Sequence, residues 1–123
     1  MADEITVQVA LQRTDSTNTV NSHYYPSSRI LVDQTLKRHN DLFQNIGTSE
    51  ESPTFTDITT NGYLLMQNLD PTNYVEWGVT TAVYAGKMLA GETAGPFRLS
   101  AGATLFLKAN TAACDVRIIL YGA

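Results

Sequence analysis

Ile5, Val7, Val9 and Leu11 alternate with Thr6, Gln8, Ala10 and Gln12. A period of two puts each set on its own face, so the stretch predicts a half-buried strand. Over residues 13–28 the character changes. Thr14 through Thr19 are polar, as are Asn21 and Ser22, which predicts a polar loop or arm ending in Tyr24, Tyr25 and Pro26. Two readings stand for residues 33–46. Val32, Leu36, Phe43 and Ile46 share a helix face, with Asp33 as cap and Gly47 as terminator. Alternatively, Ile30, Val32, Gln34 and Leu36 form one strand and Leu42, Gln44 and Ile46 the next, joined through His39, Asn40 and Asp41. The two-strand reading agrees with the rest of the chain and is favoured.

Residues 54–60 are rich in β-branched side chains and predict a short strand. Asn61-Gly62 then predicts a turn. Tyr63 to Leu69 is apolar on both faces, as a central strand is. Asp70-Pro71-Thr72-Asn73 has Asp and Pro at the first two positions of a type I turn. Residues 74–79 are expected to run back from it as the second arm of a hairpin. Ala82 to Tyr84 and Lys87 to Leu89 predict short edge strands, with bends at Gly86, Gly91 and Gly95. Residues 96–99 lead through a turn at 100–102 to a strand over 103–109. A turn at 110–113 precedes a last strand in which Val116, Ile118 and Leu120 alternate with Arg117, Ile119 and Tyr121. The total is about eight or nine antiparallel strands with the turn spacing of a sandwich or barrel. The expected fold is all-β: one β-sandwich domain over residues 1–123, jelly-roll-like.

Composition narrows the function. At 123 residues the chain can bury a core without disulfides or metals. Its one cysteine, Cys114, excludes an intrachain disulfide and reads as a small buried hydrophobe. Charged residues are only 16% of the chain, so much of the surface is neutral polar or covered by a partner. The net charge of −4 and scattered basic residues predict no nucleic-acid partner. No apolar run is long enough to span a bilayer, which predicts no membrane partner, and residues 1–4 lack the form of a signal peptide.

The side chains suggest no chemistry. His23 and His39 lie in no metal-ligand spacing. Ser22-His23 stands outside any nucleophile-elbow motif, and Gly86-Lys87 lacks the spacing of a phosphate loop. Glu50, Glu51 and Asp57 read as a solvated acidic surface, since adjacent loop residues point apart. No catalytic, metal or cofactor-binding residue is expected, and the chain reads as a non-enzyme. The aromatic residues read first as core and edge packing. Next in rank is a protein interface, with Tyr24, Tyr25, Tyr74 and Trp77 as its candidates. A carbohydrate-binding module built on Asn73, Tyr74 and Trp77 is the alternative of another class.

Four stretches carry a resemblance. These are residues 47–51 (Gly-Thr-Ser-Glu-Glu), 57–63 (Asp-Ile-Thr-Thr-Asn-Gly-Tyr), 67–78 (Gln-Asn-Leu-Asp-Pro-Thr-Asn-Tyr-Val-Glu-Trp-Gly) and 97–109 (Phe-Arg-Leu-Ser-Ala-Gly-Ala-Thr-Leu-Phe-Leu-Lys-Ala). The chain over residues 45–121 resembles the small β-sandwich structural proteins of tailed bacteriophages. The first forty residues have no counterpart in that resemblance. It implies a virion component made in the host cytoplasm, such as a capsid decoration (cement) protein on the major capsid protein, a head–tail adaptor or a tail part. Decoration is favoured for a short chain with no coiled-coil stalk and no long apolar helix. By analogy with threefold sites on icosahedral shells, a homotrimer is expected.

Overall fold

A computed structural model describes residues 3–14, 20–24, 30–34 and 38–123. Those residues form eleven strands and no helix, so the chain is all-β. They fall into two compact units, within residues 1–35 and 36–123.

The first unit contains β1 (Asp3–Val7), β2 (Leu11–Thr14), β3 (Val20–Tyr24) and β4 (Ile30–Gln34). β1 pairs antiparallel with β4 and β2 with β3, so the pairings are nested. The alternating run at residues 5–12 is thus two strands interrupted at residues 8–10, not one. Part of the expected polar loop at 13–28 is also strand: Arg13 pairs with Ser22 and Gln12 with His23. Leu11, Ile30 and Leu31 are exposed, whereas Val7 on β1 and Gln34 on β4 are buried.

The second unit holds the core. β5 (His39–Ile46), β6 (Asn61–Asn68), β9 (Thr93–Arg98) and β11 (Cys114–Gly122) form a four-stranded sheet in the order β5-β11-β6-β9. β7 (Val75–Gly78), β8 (Gly86–Met88) and β10 (Phe106–Ala109) form a three-stranded sheet in the order β10-β7-β8. All pairings are antiparallel. Both sheets contribute to one core: Ile46, Leu64, Met66, Val116, Ile118 and Leu120 from the larger, Val75, Met88 and Leu107 from the smaller. Residues 33–34 and 39–46 are strand, as the favoured reading has them, while residues 35–37, with Leu36, lie outside the described residues; β4 and β5 pair with β1 and β11 rather than with each other. His39, Asn40 and Asp41 belong to β5 itself.

From β5 onward the chain passes repeatedly between the two sheets. An eight-stranded jelly roll has four strands in each sheet. Here the smaller sheet has three, and the place beside β10 is taken by one bridge. Glu51 and Leu107 exchange both backbone hydrogen bonds there, each 2.8 Å.

Four local expectations are corrected. Residues 54–60 form turns, and Phe55 and Ile58 tuck against the core from that loop. Asn61-Gly62 starts β6 instead of making a turn. The Asn61 amide donates to the Ser100 and Ala103 carbonyls, and a Cβ on Gly62 would lie 2.5 Å from the Tyr121 carbonyl oxygen. Residues 82–84 provide only the single Thr80–Val83 bridge. The turn at residues 70–73 does form, with the Asp70 carboxylate accepting from the Thr72 and Asn73 backbone N–H groups at 3.0 and 2.6 Å. It does not close a hairpin, because β6 and β7 lie in different sheets.

Candidate functional site

The four-stranded sheet presents its alternate residues outward, away from the core. Inward positions of β11 are Cys114, Val116, Ile118 and Leu120, all fully buried. The positions between them carry Asp115, Arg117, Ile119 and Tyr121. The register places Phe43 opposite Arg117, Asp41 opposite Ile119 and Leu65 opposite Ile119 on its other side. Tyr63 and Arg98 continue this face onto β6 and β9.

Phe43 is 69% exposed, which is unusual for a phenylalanine. The Arg117 guanidinium sits 5.3 Å from the Phe43 ring centroid and grips Asp41 through two bonds of 3.0 and 2.7 Å. That fork holds the Asp41 carboxyl below the ordinary carboxylate range and raises Arg117 further. Arg98 lies 4.9 Å from the Tyr63 ring centroid. His39 stacks on Tyr121 with centroids 5.6 Å apart. A shallow depression between these groups is lined by Leu65, Gln67, Thr93, Arg117 and Ile119. Aromatic rings, aliphatic side chains and arginines with few free charges are the composition of a protein interface.

The residues singled out from sequence lie elsewhere. Tyr24 is on β3, opposite Leu11, and Tyr25 lies outside the described residues. Trp77 pairs with Leu107 and Gly86 on the inward side of β7, and stacks on Phe97 at 5.4 Å. A Cβ on Gly86 would lie 2.8 Å from the Trp77 indole nitrogen. Trp77 is therefore packing between the sheets, not a flat exposed platform. Tyr74 is half-buried just before β7, with Lys87 Nζ 4.5 Å from its ring centroid. Its backbone N–H is held by the Asn110 side chain at 3.0 Å. Tyr24 belongs to the first unit, and Tyr74 and Trp77 belong to the second.

Sequence reasoning passed over Phe43, Tyr63, Arg98 and Arg117. The available signal was an excess of apolar residues. β11 already had its core set at 116, 118 and 120, so Ile119 and Tyr121 were surplus to burial.

The two adjacent glutamates do point apart, but neither is simply solvated. Glu51 accepts from the Gly47 backbone N–H and the Gln44 amide. Glu50 accepts from the Thr81 hydroxyl at 2.5 Å, the Ala82 N–H at 2.7 Å and the Tyr84 hydroxyl at 2.6 Å. It thereby fastens a loop in which Ala82 has a φ of 60°. These bonds, led by that from Thr81, lower the Glu50 carboxyl below the ordinary range, and Glu50 in turn pushes Tyr84 up to about 12. A depressed folded-state pKa contributes stability above the unfolded value and loses it as pH falls through the folded one. Acid titration of thermal unfolding is therefore expected to show a loss below about pH 4, and Glu50→Gln a flatter curve that meets it in acid. Tyr84 acts at the other extreme. Its raised pKa preserves stability up to its ordinary value and loses it as pH climbs toward about 12.

Cys114 is buried, with its thiol bonded to the Ala112 carbonyl at 3.4 Å and pushed up by desolvation. Among the described residues, no three His, Cys, Asp or Glu side chains gather into a metal site. No protein-family model, curated protein or solved structure matches the chain.

Proposed function

We propose that this protein is an assembly component that binds another protein through the outer face of its four-stranded sheet. The observation that carries the reading is the cluster of Phe43, Tyr63, Leu65, Ile119 and Tyr121 interleaved with Arg98 and Arg117. Within that class, the resemblance in residues 45–121 favours a bacteriophage capsid decoration protein seated on the major capsid protein. The same face would suit a head–tail adaptor or tail component, and localisation on the particle separates them. The carbohydrate-binding alternative loses support from Trp77, whose ring is occupied by Phe97 and Gly86.

The test is cosedimentation with empty shells of the capsid protein. Wild-type protein is expected in the pellet at saturable occupancy. Tyr63→Ala combined with Ile119→Gln is expected to reduce that binding at least about tenfold, the loss of one hot-spot cluster, with unfolding little changed. Wild-type protein that stays in the supernatant overturns decoration, and immunogold labelling of tails or necks instead would transfer the role there.

A further inference from the structure

The second unit has four sheet edges, and they are treated very differently. β9 carries Pro96 and a bulge in which Gly95 and Pro96 stand opposite Leu65. β8 is only three residues long. β10 is closed off by the Glu51 bridge. Each is a device that keeps a sheet from growing. β5 has none of them. It runs eight residues without Pro, Gly or Lys, and pairs from His39↔Tyr121 to Cys114↔Ile46 with no register shift. Among the described residues, its one hydrogen-bonded neighbour is β11. In its middle stands Phe43, 69% exposed.

We infer that the β5 edge is a homodimer contact, at which β5 pairs antiparallel with β5 of a second copy across a twofold axis at Phe43. The register follows from the pleat. A twofold normal to the sheet keeps core faces on one side, so residues facing each other must share a face. Centring on Phe43 sets Phe43 against its own copy, Asp41 against Asn45, and Leu42 against Gln44. No like charges meet, since Asp41 is the one acidic side chain of β5 and is already gripped by Arg117. The two phenylalanines form a cross-strand aromatic pair, and the larger sheet becomes eight-stranded across the dimer. The partner is a second copy because the same strand supplies both halves of this match.

The measurement is the absolute mass of the full chain by light scattering after size exclusion, with two variants. Twice the chain mass is expected for wild type. Phe43→Lys is expected to give a monomer, by setting two ammonium groups face to face at an edge. Phe43→Cys is expected to form a disulfide-linked dimer on oxidation. Directly opposed residues have Cα atoms about 4.5–5.5 Å apart, inside the range of about 4.4–6.8 Å that a disulfide spans. Asn45→Cys, opposite Asp41 rather than itself, is the control and is expected not to cross-link. A wild-type monomer or trimer overturns the inference, as does a dimer that survives Phe43→Lys or cross-links equally at both positions. Shell binding is read separately, so a dimer that ignores shells would reject decoration alone.

Discussion

Asn68→Asp is expected to destabilise the protein by about 3–5 kcal/mol at neutral pH, the scale of an uncompensated buried charge. Asn68 ends β6 and is fully buried. The two N–H groups of its amide are shared among three backbone carbonyls, of Asn73 at 2.8 Å, Met88 at 3.1 Å and Leu89 at 3.2 Å, one of them bifurcated. Its oxygen accepts from the Asp70 N–H at 3.0 Å. One side chain thus joins both crossings between the sheets on this side, β6 to β7 and β8 to β9. A carboxylate matches the shape but turns donor into acceptor and faces three carbonyl oxygens. Its folded-state pKa would be raised. The variant's stability is then greatest below the unfolded value of about 3.9 and falls as pH rises through the folded one. Chemical denaturation at neutral and acid pH checks both the size and the sign. Gln67→Glu, one residue earlier on the opposite face of β6, is expected to stay within about 0.5 kcal/mol of wild type. Equal effects at the two positions would remove Asn68 from this role.

Gly95→Ala is the second large effect, at about 3 kcal/mol or more, and a ladder of glycines shows why. Gly95 has φ of 99°, and a Cβ there would stand 2.4 Å from the Leu64 carbonyl oxygen. The Leu64 oxygen belongs to β6, which is paired on both sides, and Gly95 lies in the bulge of the edge strand β9, so the added carbon meets backbone rather than a side chain that could turn aside. Gly91 also has positive φ, 78°, but a Cβ there meets nothing within 4 Å. Gly91→Ala therefore isolates the conformational penalty, about 1–2 kcal/mol. Gly102→Ala has open space and no such φ, and is expected to be near neutral. The order Gly95, Gly91, Gly102 in midpoint loss by urea denaturation is the expected result. A Gly95 variant no worse than the Gly91 variant would mean that the bulge relaxes.

Both positions were invisible in the sequence for the same reason. Asn68 reads as one polar residue at the end of an apolar run, and Gly95 as one more bend. Their weight comes from groups distant along the chain: Met88 and Leu89 for Asn68, Leu64 for Gly95. The outer face was equally hidden. Phe43 meets Arg117 only because β5 pairs with β11, across most of the second unit's length.

What the sequence by itself determined is the part of the fold set by local periodicity. The all-β class followed from it, as did the central place of β6 and the inward set Val116, Ile118 and Leu120. Period-two alternation is a property of a strand and one core face, and it survives any choice of partner. Turn chemistry at residues 70–73 was equally local: the Asp70 carboxylate makes the predicted bonds. Only the tertiary structure decided where those elements went. The same Asp-Pro turn suits a hairpin or a corner between sheets, and the buried Asn68 amide selects the corner. The same Asn-Gly pair suits a tight turn or a strand start, and the closeness of the Tyr121 carbonyl selects the latter. Trp77 was placed between the sheets by Phe97 and Gly86, and Phe43 was left outside because β5 turns its other face, ending in the buried Ile46, toward the core. In each case the deciding contact joins residues far apart in the chain, where local propensity carries no information.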